Sequence, residues 1–287
     1  MNQGTLKIAI QKKGRLSEQS IGLLKECGIK FPNGGAKLVA EASNFPLQLL
    51  FLRDDDIPEY VEQGVADIGI IGENVLLESR KCICVSERLG FSSCRLSLAI
   101  PKERVYTGLA WFKGKRVATS YPNILSSYFR ENKIDATIET ISGSVEIAPG
   151  IGLADAVCDI VSSGSTLFSN GLKEVNTVLR SEALLIANNN LEPGQQQVLQ
   201  RLLFRMRSVR KACENKYILL NTPDTCIQQI SQILPGMNSP TILPLARQGW
   251  SSLHSVIKED QFWEVIDALK AAGAEGILVV PIEKMIA

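Results

Sequence analysis

Two stretches of this chain share one pattern. Gly64-Val-Ala-Asp67 runs into Ile68-Gly-Ile-Ile-Gly72, and Gly152-Leu-Ala-Asp155 runs into Ala-Val-Cys-Asp-Ile-Val161. Each is a helix end feeding an apolar strand that closes in a small-residue loop. Two such units imply two lobes with a cleft between them. Alone the echo is weak, because α/β segments often resemble one another, so the flanking sequence has to carry the organisation.

That sequence alternates as an α/β domain does. Leu6–Ile10 is a short apolar strand ending at Gln11-Lys-Lys-Gly-Arg15, and Ser17 is placed to N-cap a helix that stops at Gly28. Leu47–Arg53 is a second strand, Ile57-Pro58 opens a helix through Gly64, and Asp67–Ile71 is a third strand, so the spacing predicts buried parallel strands. Leu96–Ile100 leads away from this unit. Lys115–Thr119 is a strand, with Ser120 or Tyr121 expected to cap a helix over Asn123–Arg130 behind Pro122. A strand over Ala136–Ile141, a helix over Val145–Ala154 and a strand over Val157–Val161 follow. Glu182–Ala187 is a strand that returns to the first lobe, and Gln195–Lys211 a helix with a basic face. The tail reads βαββαβ: Tyr217–Asn221, Thr225–Leu234, Thr241–Leu245, Ser251–Lys258, Phe262–Ala272 ended by Gly273, and Ile277–Pro281. This is a ferredoxin-like unit of the kind that often senses small molecules.

A chain of 287 residues holds about two domains at roughly 150 residues each, or three small ones. Its net charge of +1 excludes a dedicated nucleic-acid binder, which needs clustered Lys and Arg to displace counterions. From Ala212 onward there are 5 basic and 8 acidic side chains, against 26 and 22 before it, so a slightly basic body precedes an acidic tail. That balance suits a body that handles anions. The 7 cysteines are odd in number and scattered, no secretory signal precedes them, and no apolar run approaches the ~20 residues of a membrane span, so a cytoplasmic location is expected. Cys82 and Cys84 form a C-x-C without a second pair or a nearby histidine, which is too little for zinc. The one histidine, His254, lies in the tail and reads as structural, so the body has no histidine for base chemistry.

The chemistry-bearing segment is Asp159-Ile-Val-Ser-Ser-Gly-Ser-Thr-Leu167. An apolar strand ends, and Ser162, Ser163, Gly164, Ser165 and Thr166 follow at an expected helix N-terminus. Glycine lets the backbone approach an anion, free N–H groups point at it, and the hydroxyls add donors. Asp159 sits where a carboxylate can accept hydrogen bonds from vicinal ribose hydroxyls. A ligand-free Ser/Gly turn has the same composition; the strand before it favours the anion site. No G-x-x-x-x-G-K-[ST] is present, and Gly150-Ile-Gly152 lacks the closing position of a dinucleotide fingerprint.

The chain resembles the long form of ATP phosphoribosyltransferase, the first enzyme of histidine biosynthesis. The carriers are Gln11-Lys-Lys-Gly-Arg-Leu-Ser17, Arg53-Asp-Asp-Asp-Ile-Pro58, Asp67-Ile-Gly-Ile-Ile-Gly-Glu-Asn74, Cys94-Arg-Leu-Ser-Leu-Ala99, Ala118-Thr-Ser-Tyr-Pro122, Gly143-Ser-Val-Glu146, the Asp159 loop and Pro240-Thr-Ile-Leu-Pro-Leu245. The resemblance implies an α/β fold: a two-lobed, periplasmic-binding-protein-like catalytic core and a C-terminal ferredoxin-like (ACT-like) regulatory domain. It divides the chain into a first lobe of residues 1–96 with 181–211, a second lobe of 97–180, and a tail of 212–287. The implied reaction joins ATP and phosphoribosyl pyrophosphate to give N1-phosphoribosyl-ATP and pyrophosphate, with Mg2+ carried mainly on pyrophosphate.

In that resemblance the Asp159–Thr166 loop holds the phosphoribosyl group. Lys13 and Arg15, with Arg53 and Arg95 behind them, are the candidates for pyrophosphate and triphosphate contacts. Glu73 and Glu146 are candidates for the adenine amino group, and Tyr121 for stacking or a hydrogen bond. Phosphoribosyltransferases of the commoner fold place two adjacent acids before such a loop, whereas the neighbour of Asp159 is Cys158. The tail implies feedback inhibition by histidine, with Met237, Thr241, Val256 and Gly276 near the effector, and a homo-oligomer that switches between dimer and hexamer. A two-lobed binding protein for a small solute, without chemistry, has the same architecture, and a transferase for another base is a second alternative.

Overall fold

The computed structural model describes residues 4–32, 38–162, 165–234, 236 and 239–286. Two compact units emerge, one of the chain up to Lys25 with Ile29–Leu199, the other of Glu26–Gly28 with the chain from Gln200.

The first unit holds two sheets. Its first part runs β1 (Leu6–Gln11), α1 (Arg15–Glu26), β2 (Val39–Glu41), β3 (Leu47–Leu52), α2 (Ile57–Glu62), β4 (Ile68–Gly72), α3 (Glu73–Ser79) and β5 (Cys84–Arg88). Its second part runs β6 (Cys94–Pro101), β7 (Arg116–Thr119), α4 (Pro122–Glu131), β8 (Thr137–Thr140), β9 (Ala156–Val161), α5 (Ser165–Ser169) and β10 (Leu172–Ser181). The chain then returns through β11 (Ala183–Ala187) to α6 (Pro193–Cys213). The sheets are ordered β2-β3-β1-β4-β11-β5 and β10-β6-β9-β7-β8.

These sheets explain the sequence echo. In the first, β3, β1 and β4 are parallel, and β11 and β5 follow antiparallel. In the second, β8, β7 and β9 are parallel, and β6 and β10 follow antiparallel. The two repeats, β4 and β9, therefore hold the same place in their sheets. The chain passes between sheets twice, from β5 to β6 and from β10 to β11, with Glu182 alone linking the latter pair. The three strands of the first lobe read as buried and parallel are so, and each lobe adds to its parallel trio one strand of opposite direction, β11 or β6, that pairs antiparallel on both sides. Leu6, Ile8, Ala9 and Ile10 of β1 are fully buried, which is why β1 reads as an apolar run broken only by the exposed Lys7.

Local readings fail where a non-local partner or an unread backbone constraint decides. Ser17 does not cap α1; it is buried within the first turn, and Gly14 (φ +100°) offers the carbonyl that Glu18 N–H bonds at 3.1 Å. A side chain at that φ would be strained, so glycine sets the helix start. Val145–Ala154 is not a helix. Val145–Ile147 makes one tight 3-10 turn, Pro149 has no N–H to continue it, and Gly152 (φ +76°) turns the chain away. β2, α3, β5 and the ten-residue β10 were not expected. β10 carries Lys173, Glu174, Asn176 and Arg180 and two register shifts, so it has no clean alternation to read.

In the second unit β12 (Asn215–Pro223), α7 (Ile227–Ile233), β13 (Thr241–Pro244), β14 (Trp250–Lys258), α8 (Glu259–Ala271) and β15 (Glu275–Pro281) form the expected βαββαβ fold in the order β13-β14-β12-β15. Ile218, Leu220, Leu253 and Ile257 pack with Ile230 and Leu269 of the two helices. His254 is structural, as read: Nδ1 meets Tyr217 Oη at 2.8 Å and Nε2 meets Ser252 Oγ at 3.0 Å, so both ring nitrogens are occupied.

Candidate active site

The carboxyl ends of the parallel strands gather the polar sequence motifs, the usual place for ligands in such sheets. On the first lobe Gln11–Arg15 follows β1, Arg53–Asp56 follows β3 and Glu73-Asn74 follows β4. On the second lobe Ser120-Tyr121 follows β7, Ile141–Glu146 follows β8 and the Asp159 loop follows β9. Thr119 of β7 is the register partner of Cys158, which sets Tyr121 and Asp159 on adjoining strand ends.

Asp159 is half-buried. Its Oδ1 accepts the Ile160 N–H at 2.7 Å, and it makes no ion pair among the described residues. Burial first, and then the Glu146 carboxylate, push its pKa above the ordinary carboxylate value. That is an anionic group short of donors. Cys158 faces the other way, into the core with Leu98, Phe112 and Phe129, and has no exposed surface. An acid at that position would be buried away from any ligand, which accounts for the missing second carboxylate. Of the loop, Ser163 and Gly164 lie outside the described residues; Ser162 and Thr166 are exposed, and Ser165 opens α5.

Two contacts bring the strand ends of the lobes face to face. Asn74 Nδ2 donates to Tyr121 Oη at 3.2 Å. Glu78, on α3, accepts the N–H groups of Asn123 (2.9 Å) and Ile124 (3.0 Å) at the start of α4, while Asn123 Nδ2 donates to the Glu78 carbonyl at 2.9 Å. The expected cap from Ser120 or Tyr121 is corrected here. Ser120 Oγ donates to Ile141 O at 2.7 Å and Tyr121 makes no cap bond, because Glu78 reaches across from the other lobe and caps the helix with its charge. Tyr121 is pushed well above the usual phenol range, chiefly by burial, with Asp159, Asp54 and Asp55 adding repulsion.

The expected cations divide into two groups. Lys13, Arg15 and Arg53 are exposed at the first lobe's strand ends and make no ion pair among the described residues. Arg95 is engaged: Nε and Nη2 fork onto Glu174 at 2.6 Å each, and Nη1 reaches the Ser162 carbonyl at 3.4 Å, so it braces the base of the loop. Glu73 is likewise engaged, by Arg88, which also holds Glu182 at 3.0 Å. Glu146 is half-buried opposite Asp159, whose titration its charge affects. Sequence reasoning missed Asn74, Glu78, Arg88 and Glu174 in these roles; only Asn74, at the end of the Asp67–Asn74 motif, was signalled at all.

The effector positions of the tail do not converge within one chain. Thr241 lies on β13 and Gly276 on β15, the opposite edges of the sheet, with Val256 on β14 between them, and Met237 lies outside the described residues. Among the described residues no group of three His, Cys, Asp or Glu side chains is placed to hold a metal ion. Among them no helix is long and apolar enough to cross a membrane. A polar pocket of about 200 Å³, lined by Glu62, Cys82 and Asn188–Asn190, opens at the opposite, amino end of β4, and Glu62 there is paired with Lys81.

Residues 53–208 match the ATP phosphoribosyltransferase family and residues 212–284 the C-terminal domain of the same family. The chain is 61% identical over 98% of both chains to the ATP phosphoribosyltransferase of Cytophaga hutchinsonii, and 59% identical over 98% of this chain and 99% of the other to that of Azobacteroides pseudotrichonymphae. Among solved structures it is similar to the ATP phosphoribosyl transferase (HisG:HisZ) complex from Thermotoga maritima, with TM-score 0.60 and 30% identity, covering 70% of this chain and 98% of that one. A histidine kinase sensor domain similar to periplasmic binding proteins aligns at TM-score 0.50 and 12% identity, covering 74% of this chain and 92% of that one, a likeness of fold alone. With one family matched over both parts and relatives this close over nearly the whole length, the chain belongs to the ATP phosphoribosyltransferase family.

Proposed function

We propose that this chain transfers the 5-phosphoribosyl group of phosphoribosyl pyrophosphate to N1 of ATP and releases pyrophosphate, the first step of histidine biosynthesis. The observation that carries the site assignment is Asp159, a half-buried carboxylate without a cationic partner among the described residues, at the end of β9 and just before a Ser/Gly/Thr loop. Ribose hydroxyls supply the donors that this carboxylate lacks, and the loop that follows takes the 5-phosphate through its N–H groups and hydroxyls.

The C1–oxygen bond to pyrophosphate breaks and the bond from adenine N1 to C1 forms. Because N1 already carries a lone pair, no residue has to remove a proton from the nucleophile, which agrees with a body free of histidine. The work left to the protein is alignment and the placing of charge. Lys13, Arg15 and Arg53 supply cations toward the departing pyrophosphate and the triphosphate of ATP. Arg95 acts on the loop through Ser162. Glu146, and Glu73 if it leaves Arg88, accept from the adenine amino group. Mg2+, when bound, would neutralise pyrophosphate charge, and in this reading it would be carried mainly on the pyrophosphate itself.

The proposed division is residues 1–96 with 181–211, 97–180 and 212–287, in a cytoplasmic homo-oligomer inhibited by histidine. An effector site that includes both Thr241 and Gly276 takes edge strands from two copies, which agrees with dimers or hexamers. Incubation with ATP, phosphoribosyl pyrophosphate and Mg2+, followed by the absorbance of the N1-substituted adenine, tests the reaction. Product formation is expected. Binding of either substrate with no product under any condition would leave a binding protein instead.

A further inference from the structure

We propose that Asn74, locked by Ser181, is a positioning residue that holds the Tyr121 hydroxyl from the opposite lobe and leaves its proton free to donate into the ribosyl side of the site. The proposal rests on the reading that places Tyr121 in the active site, and it follows from the donors and acceptors available.

Asn74, the second residue of α3, is buried, as is Ser181, the last residue of β10. Ser181 Oγ accepts the Asn74 backbone N–H at 3.1 Å and donates to Asn74 Oδ1 at 2.8 Å. With the carbonyl end of the amide held by Ser181, the amide nitrogen faces Tyr121 and donates to Oη at 3.2 Å. A phenol oxygen that accepts in this way has one proton left to give. The charged groups acting on that oxygen are Asp159, Asp54 and Asp55, all acceptors. Tyr121 and Asp159 stand on adjoining strand ends, so the remaining proton is available on the side proposed for the ribosyl group, and Tyr121 serves there as a donor.

The arrangement also couples the lobes. Asn74 belongs to the first lobe's strand ends and Tyr121 to the second, while Ser181, which locks Asn74, ends β10 at the crossover between the two sheets. Gly72 keeps the room: a β-carbon there would lie 2.4 Å from Asn74 Oδ1, and since Ser181 fixes that side chain, any larger residue displaces it. The backbone at Gly72 (φ −71°) has no need of glycine, so close approach to Asn74 is the reason for it.

The test is a double-mutant cycle in the full-length protein, with kcat and KM for both substrates. Asn74→Ala and Tyr121→Phe are each expected to lower kcat about 10-fold, as removal of one buried hydrogen bond does. The double variant should be no worse than the poorer single one, because Asn74 acts only through Tyr121. Gly72→Ala, which keeps the amide but pushes it aside, should reproduce the loss. Multiplying losses in the double variant would overturn the proposal, since a purely structural Asn74 would cost as much without the Tyr121 hydroxyl as with it. Unchanged kcat in Asn74→Ala would overturn it too. If Asn74→Ala fails to fold, Asn74→Asp replaces it in the cycle, because it keeps the acceptor for Ser181 and removes the donor to Tyr121. A wild-type protein that makes no phosphoribosyl-ATP is a different result and strikes the proposed reaction, not the role of Asn74.

Discussion

Replacement of Glu78 by alanine removes the charge that caps α4 from the opposite lobe. Both carboxylate oxygens are in use, at 2.9 and 3.0 Å from two N–H groups that have no partner within the helix. Loss of a helix cap costs about 0.5–2 kcal/mol, and loss of a negative charge beside a helix N-terminus about 0.3–1 kcal/mol more. Glu78→Ala is therefore expected to destabilise the first unit by about 1–3 kcal/mol, a drop of roughly 2–12 °C in the melting of a unit of this size. Glu78→Gln keeps one acceptor and loses the charge, so it should fall about midway. Urea unfolding followed by tryptophan fluorescence measures the difference, since Trp111 lies in the second lobe. If Glu78→Ala unfolds at the wild-type urea concentration, the cross-lobe cap contributes nothing and this account of how the lobes are joined is wrong.

Two further outcomes follow from the same contacts. The Asp159 pKa is raised in the folded protein, so its ionisation opposes folding; that penalty is absent below the ordinary carboxylate pKa, grows between it and the raised pKa, and is complete above the latter. Asp159→Asn should then raise the urea midpoint at neutral pH while abolishing transfer, and the stability gain should shrink as pH falls toward the ordinary carboxylate range; a variant less stable than wild type at neutral pH contradicts this. Glu174→Ala frees Arg95 from a partly exposed pair worth less than about 1 kcal/mol. Steady-state kinetics should show a raised KM for phosphoribosyl pyrophosphate and an unchanged KM for ATP, because Arg95 then no longer braces the Ser162 carbonyl.

Legibility in the sequence followed the range of the interactions. The apolar run of β1, the matched β4 and β9 segments and the βαββαβ tail rest on hydrophobic burial and local punctuation, and all could be read. The Asp159 loop could be proposed as an anion site because the residues that suggest it lie in one segment. What could not be read depends on partners far apart in the chain: Glu78 on Asn123, Asn74 on Ser181, Arg95 on Glu174. Such pairs leave no periodicity. The mixed direction of the sheets was hidden for a related reason, since β10 is half-exposed, polar and bulged, and its role is to return the chain to the first lobe. Arg95 shows the limit most plainly. Its motif offered it for pyrophosphate and triphosphate contacts, and nothing in the motif signals its pairing with Glu174 or its reach to the Ser162 carbonyl.

Calorimetric titration of phosphoribosyl pyrophosphate and, separately, of ATP into the wild type and Asp159→Ala bears most directly on the claim that the end of β9 holds the ribosyl group. Loss of charged hydrogen bonds to the sugar hydroxyls costs about 1.5–3 kcal/mol, or about 10- to 150-fold in Kd. The account predicts that loss for phosphoribosyl pyrophosphate with ATP binding within about 2-fold of wild type, a margin far below the cost of one such bond. Equal weakening of both substrates, or of neither, would contradict it.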